Sequence, residues 1–391
     1  MRKKSSAIAL AFAAVVATSA ATAQEKLRIG LVTTLTGPGA TLGLELKNGW
    51  DLGLAALGNR IGGLDTEVFV VDDQLKTDTA VSGVDSLISQ HKVHVVAGVL
   101  WSNVLLAIYD RVLKSNTILM STNAGPPQPA GEACSPLYIS TSWQNDQFTD
   151  ATAQIVKDDG VKSVLLIAPN YQAGKDLMGA FPKASNAKIV DTILFKLGQT
   201  DFQADLSVIR AKAPEAVVAF APGAMAIAFL KQWQSSGLGK TIKLYTINMV
   251  DSLSLPAIGD TVVGTSHVSP YDPTGKSEAN AKFVKAYQAK VGRMPTQYAA
   301  QAYDAVFLLD SGIRAVGGNL DDKAALVRAM RKADFPTVRG HIKFNVNNFP
   351  IQDFLKLEVA PGADGKPAIR GVGVAVKDHK DAYFGACKLT W

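Results

Sequence analysis

From residue 27 onward, hydrophobic positions alternate between short β-branched runs and longer stretches with helical spacing. Residues 27–34, 66–72, 93–99 and 117–121 read as strands, and 42–57, 78–90 and 103–114 between them read as helices. Strands this apolar on both faces belong to a parallel sheet covered by helices, and right-handed crossovers make it a doubly wound lobe. The pattern pauses at Asn123-Ala124-Gly125-Pro126-Pro127-Gln128-Pro129, a stretch too rich in Pro and Gly for either element. It resumes with strands at 163–168, 189–195, 216–220 and 242–247, separated by helices from Tyr171, from Asp201 and over 224–235. The fold class is therefore α/β, with two doubly wound parallel-sheet lobes. After a strand at 262–268 come helices at 277–291, 296–316 and 323–333, then strand-like runs at 342–344, 353–359 and 371–376. Such a tail cannot make a third compact domain, so it and the late helices are expected to be shared between the lobes.

Ahead of this pattern stands a different one. Arg2, Lys3 and Lys4 precede an uncharged, mostly apolar run over residues 7–20, which ends in Ala21-Thr22-Ala23 before polar Gln24-Glu25-Lys26. That is an export signal with cleavage after Ala23. The alternative, a retained anchor, needs roughly 20 apolar residues to cross a bilayer. The mature chain is expected to work in the periplasm.

Removing the three basic residues of the signal lowers the formal charge from +6 to +3. The remaining Lys and Arg are scattered and not interleaved with aromatics, so nucleic acid is not an expected partner. With 47% hydrophobic residues, a chain of this length can bury two cores. The only cysteines are Cys134 and Cys387. In an exported protein such a pair is expected to form a disulfide, worth at most ~4 kcal/mol, the alternative being two free thiols.

Catalytic signatures are sparse. Gly37-Pro38-Gly39-Ala40-Thr41-Leu42-Gly43 lies where a dinucleotide fingerprint would, but has one residue too many between its last two glycines. Asp72 and Asp73 stand where a ribose-binding acid would, which keeps an exported nicotinamide or flavin enzyme as an alternative. His91 and His94 have a spacing that could touch one metal, yet the segment passes from helix to strand there. No nucleophile elbow, phosphate loop or zinc-protease motif occurs. The expectation is a protein without cofactor or metal that is not an enzyme, and two such exported lobes suggest closure on a ligand. Candidate contacts lie where strands lead into helices.

At these junctions the residues resemble a known family. Leu35-Thr36-Gly37-Pro38, Asp72-Asp73-Gln74, Asn170-Tyr171-Gln172-Ala173-Gly174-Lys175 and Tyr303-Asp304-Ala305 resemble the type I periplasmic solute-binding proteins of the leucine/isoleucine/valine kind. The resemblance covers essentially the whole mature chain. It implies two lobes joined by three crossovers, one from residues 24–143 plus 272–353 and the other from 144–271 plus 354–391. It also implies a monomer whose partners are the permease subunits of an ATP-driven importer. Trp143-Gln144-Asn145-Asp146-Gln147 and the cysteine pair resemble a branch that includes aromatic-acid binders.

The resemblance also implies roles. Trp101, Ser102 and Asn103 correspond to a junction that offers a hydroxyl and backbone N–H groups to a ligand carboxylate, at a helix start that favours an anion. Asn123, Ala124 and Gly125 correspond to a junction where a Thr is usual, and Gly125 replaces it. The second-lobe acid that pairs with a ligand ammonium falls on Asn248, counted without gaps from Ile258-Gly259. A buried ammonium without a counter-charge is costly, so the preferred ligand is a small carboxylate of benzoate or hydroxycinnamate type, with an aliphatic amino acid as the alternative. Leu42, Tyr171, Phe220, Pro222, Met249 and Gln301 complete the candidate contacts. Each has a plainer reading too: Trp101 as core, Ser102 or Asn103 as a helix cap, Phe220 and Met249 as packing.

Overall fold

The structure, a computed structural model, describes residues 26–362 and 365–391, so the expected export signal lies outside the described residues. The first sheet contains β1 (Leu27–Thr33), β2 (Arg60–Ile61), β3 (Leu64–Asp72), β4 (Val95–Gly98), β5 (Ile118–Ser121) and β6 (Tyr138–Ser140). Its order is β2-β3-β1-β4-β5-β6, parallel except for the small hairpin strand β2. Helix α1 (Ala40–Ala56) covers one face, and α2 (Thr77–Ser89) and α3 (Ser102–Lys114) cover the other. A short turn of helix, α4 (Pro127–Ala130), precedes β6.

Helix α5 (Asn145–Asp158) opens the second lobe. Its strands β7 (Ser163–Pro169), β8 (Lys188–Phe195), β9 (Ala216–Phe220), β10 (Lys243–Ile247) and β11 (Ser266–Ser269) are parallel in the order β8-β7-β9-β10-β11. Helices α5 and α6 (Gln172–Ala184) cover one face, while α7 (Gln203–Lys212), α8 (Ala224–Ser236) and α9 (Leu255–Ile258) cover the other. The chain then returns to the first lobe, where α10 (Glu278–Val291), α11 (Gln297–Ala315) and α12 (Lys323–Met330) pack. Helix α11 lies along α1, close enough that a Cβ on Gly49 would sit 2.0 Å from the Ala299 carbonyl oxygen. A third passage leads through β12 (Lys343–Phe344) to β13 (Pro350–Pro361) and β14 (Pro367–His379), which add antiparallel strands beside β11.

β1 is flanked by β3 and β4, and β7 by β8 and β9, so in each sheet the chain reverses direction across the sheet at that strand. Ligands of open α/β sheets bind at such switch points, beyond the carboxyl ends of the strands. The loops after β1 and β4 meet the loops after β7 and β9 across the cleft between lobes.

Several elements depart from the pattern in the sequence; α4 forms within the Pro/Gly stretch expected to hold neither element, and the pattern does not mark β2 or β6. Helix α5 reads as a gap because Asn145, Asp146, Gln147, Thr149 and Thr152 are polar, yet all five are buried. Their hydrogen bonds are internal: Gln144 and Gln147 form a reciprocal cap, Thr149 donates to the Leu177 carbonyl, and Thr152 donates to Phe148 one turn back. The strand expected from residue 262 begins only at Ser266, because Gly259–Val262 forms a 3₁₀ turn.

Where the chain passes between lobes, the buried Arg339 joins three segments. Its Nε donates to Asp304 of α11 at 2.9 Å, and its terminal nitrogens donate to the Thr141 carbonyl and to Gln352 of β13. The C-terminal tail crosses back as well. Tyr383 donates to Asp146, Asn347 donates to Asp381, and Cys387 is bonded to Cys134 just ahead of β6, with 5.6 Å between their Cα atoms. No helix of the described residues is long and apolar enough to cross a membrane.

Candidate ligand-binding site

The loop after β1 is built by its neighbours. Asp72 accepts from the backbone N–H groups of Leu35 and Gln74 and from the Thr36 hydroxyl. Asp73, fully buried, accepts from the Thr34 hydroxyl, which in turn accepts from the Trp101 indole N–H at 2.8 Å. Burial raises the Asp73 carboxyl above the ordinary range. The glycines of this loop serve the same packing. A Cβ on Gly39 would lie 2.6 Å from the Trp101 ring, and one on Gly43 would lie 1.7 Å from the Thr34 carbonyl oxygen. The indole thus occupies the space over the glycine loop, and Asp72 and Asp73 orient loop and ring.

Between the lobes lies a narrow cavity, part of it continuous with solvent. Trp101, Trp143, Phe148, Tyr171, Phe220 and Tyr298 supply aromatic walls, and Leu42, Leu100, Pro222 and Leu177 fill between them. The Trp101 ring meets Tyr171 of the opposite lobe edge-on at 5.7 Å, and Tyr171 stacks towards Phe220 at 6.3 Å. Among the described residues, no Asp, Glu, Lys or Arg lines the cavity.

Polar groups stand at three places. Ser102 opens α3, whose N-terminus has no side-chain cap, so the first-turn N–H groups are open to an anion. The Ser102 oxygen accepts from Asn145 at 3.3 Å, which leaves its own proton to point elsewhere. Asn123 donates to the Leu100 carbonyl, and its side-chain oxygen is buried without a partner among the described residues. Asn248, in the left-handed conformation at φ 53°, accepts from Gln297 at 2.6 Å. Gln297 is itself oriented by the Ser269 hydroxyl, which donates to its carbonyl oxygen. With its oxygen turned to Gln297, Asn248 can offer its NH₂ to the cavity.

Behind Asn145 stands Asp176, which accepts from the Asn145 and Gln172 amides. Burial pushes its carboxyl up to about 6, the amide donors opposing. A carboxyl raised from 3.8 holds its proton more tightly folded than unfolded, so its contribution to stability is greatest at low pH and falls as pH rises through about 6. Between pH 5 and 7 that loss is expected to be about 1 kcal/mol. Urea unfolding across this range should show the slope in the wild type and a flatter one in Asp176→Asn. Identical slopes would rule the assignment out.

The cavity gathers Leu42, Trp101, Ser102, Asn123, Ala124, Tyr171, Phe220, Pro222 and Asn248 of the candidate residues, and leaves four outside. Asn103 of α3 does not line it, and its side-chain oxygen is buried without a partner among the described residues. Gly125 sits against the crossover, where a Cβ would come within 2.0 Å of the Trp143 carbonyl oxygen, so no Thr fits there. Met249 packs into the second-lobe core, on the far side of the loop from the cavity. Gln301 is fully buried on α11, its side-chain amide without a partner among the described residues. The sequence reading missed Trp143, Asn145, Phe148, Ala173, Leu177 and Tyr298 as contacts. Trp143 and Asn145 lay in a motif already singled out by resemblance, whereas Tyr298 carries no local signal. The paired histidines do not converge: His91 stacks on Phe69, and His94 accepts from the Arg28 backbone N–H.

A sequence profile described as periplasmic binding protein matches residues 26–366. The chain belongs to that family. Curated members include the Leu/Ile/Val-binding protein homolog 6 of Brucella melitensis, 27% identical, covering 92% of this chain and 94% of that protein. Among solved members, an ABC-transporter solute-binding protein from R. palustris in complex with benzoate superposes with a TM-score of 0.87 at 28% identity. It covers 93% of this chain and 100% of that one. Another from R. palustris, in complex with 4-hydroxybenzoate, gives 0.85 at 25% identity, covering 92% of this chain and 99% of that one.

Proposed function

We propose that this protein is the extracytoplasmic binding component of an ATP-driven importer and that it closes on a small aromatic carboxylate. The observation that carries this reading is a cavity walled by six aromatic rings, with a bare helix N-terminus and Ser102 on its wall and no ionised side chain facing it among the described residues. The carboxylate lies at the α3 N-terminus, the ring between Trp101, Tyr171 and Phe220, and the far edge meets the Asn248 NH₂. Members of the family solved with benzoate and 4-hydroxybenzoate support this ligand class. The chain is exported with cleavage after Ala23, works in the periplasm as a monomer without cofactor or catalysis, and docks on permease subunits. The bodies that close are residues 24–143 with 272–353 and 144–271 with 354–391.

The names of the curated relatives favour a second reading, a branched-chain amino acid. An α-ammonium would need a counter-charge, and its absence is expected to cost several kcal/mol. Calorimetric titration with benzoate, 4-hydroxycinnamate, leucine and phenylalanine separates the two. The aromatic acids should bind, and at 100 times the dissociation constant should add about 2.7 kcal/mol to stability. Submicromolar binding of leucine or phenylalanine, with none of the deaminated acids, would overturn the assignment.

A further inference from the structure

Two kinds of contact join the lobes across the cleft. One kind surrounds the cavity: Trp101 against Tyr171, and Ser102 against Asn145. The other lies away from it, between the loop that follows β10 and the turn between α10 and α11 of the first lobe. There the Ser252 hydroxyl donates to the Met294 carbonyl at 2.6 Å and accepts, more weakly, from an Arg293 terminal nitrogen at 3.4 Å. None of these three residues lines the cavity.

Both sides of this contact are held in place by their own lobe. On the first, Glu45 of α1 is 1% exposed and holds Arg293 in an ion pair, while also accepting from the Tyr287 and Thr296 hydroxyls. The guanidinium cannot swing away without stranding a buried carboxylate. On the second, Asp251 accepts from the backbone N–H groups of Leu253 and Ser254, and its own N–H donates to the Ser254 hydroxyl, which fixes the turn that carries Ser252. Asp251 also brings an acid towards Glu45. Burial raises the Asp251 carboxyl and the charge of Glu45 adds to the rise, so the two acids oppose each other where the lobes meet. Arg293, paired with Glu45 and within the influence of Asp251, offsets that repulsion.

We propose that Ser252, Arg293 and Met294 form a clasp that holds the closed lobes together without touching the ligand, and so sets how fast the ligand is released. The proposal rests on the reading of the cleft as a closing ligand site and adds the residues that retain the ligand once it is inside. A ligand enclosed between lobes leaves only when they part, and a contact present in the closed state alone favours that state. The bond from Ser252 to Met294 is such a contact. Losing it should raise the open population and hence the rate of escape, while the encounter of the ligand with the open cleft is untouched.

The test follows benzoate and 4-hydroxybenzoate on the full mature protein by stopped-flow fluorescence, with Trp101 and Trp143 of the cavity wall supplying the signal. Ser252→Ala should release either acid about two- to tenfold faster than the wild type, the net worth of one hydrogen bond, with the association rate unchanged. Ser252→Thr keeps the hydroxyl and should restore the wild-type rate. Arg293→Met should speed release further, but it also strands Glu45, so the Ser252 variants decide. Release from Ser252→Ala at the wild-type rate, or slower association in place of faster release, would overturn the clasp while leaving the cleft reading intact. If neither acid binds the wild type, the ligand class fails, and the clasp is judged on the ligand-free proteins by small-angle scattering. There Ser252→Ala should have the larger radius of gyration, and equal radii would overturn the clasp.

Discussion

Replacing Arg339 with Met is expected to cost about 3–5 kcal/mol of stability, because it leaves the Asp304 carboxylate buried without its partner. The two side chains are 1% and 2% exposed, so water cannot take the place of the guanidinium. Burial raises the Asp304 carboxyl even with Arg339 beside it, and without the cation the ionised form is penalised further. The loss should be partly reversed in Asp304→Asn/Arg339→Met, since Asn keeps an oxygen for the Val338 N–H that Asp304 now accepts. Urea unfolding of the wild type, both single variants and the double variant forms the cycle. A single-variant loss below about 1 kcal/mol, or a double variant no better than the worse single one, would contradict this account. Because the same guanidinium holds Thr141 and Gln352, where the chain crosses between lobes, Arg339→Met should also loosen closure and weaken ligand binding.

Cys134→Ser/Cys387→Ser is expected to lose about 2–4 kcal/mol, the usual range for a native bond. The bond spans 253 residues of sequence, and in the chain-entropy account such a long loop restricts the unfolded state strongly. Its placement adds a mechanical consequence. The tail that leaves β14 of the second sheet is thereby fastened just ahead of β6 of the first sheet. Thiol titration of the unfolded, unreduced wild type should find no free thiol. Denaturation of the double variant should show the loss, and an unchanged midpoint would refute it.

The Tyr303-Asp304-Ala305 and Asp72-Asp73 motifs were visible in the sequence as signatures, but not for what they do. Both are positional: Asp304 holds a crossover through Arg339, and Asp73 holds the Trp101 indole through Thr34. Short-range pattern shows that an acid recurs at a strand end. It does not show which ring, 28 residues later, the acid orients.

The alternation of apolar runs by itself determined most of the strands and helices, because a parallel sheet buried on both faces leaves a nearly continuous hydrophobic record. It also determined the junctions from which most of the cavity is built, since ligands meet such sheets at switch points. Tertiary structure decided the rest. Helix α5 is buried with its polar residues satisfied internally, so hydrophobic periodicity could not mark it. Tyr298 enters the cavity from a helix that follows the second lobe in sequence and packs on the first. The direction of the Asn248 amide, and hence whether it donates or accepts, is set by Gln297 and Ser269 from two other elements. Side-chain hydrogen-bond direction depends on partners distant in the chain, and only the folded arrangement brings them within 3 Å or so of one another.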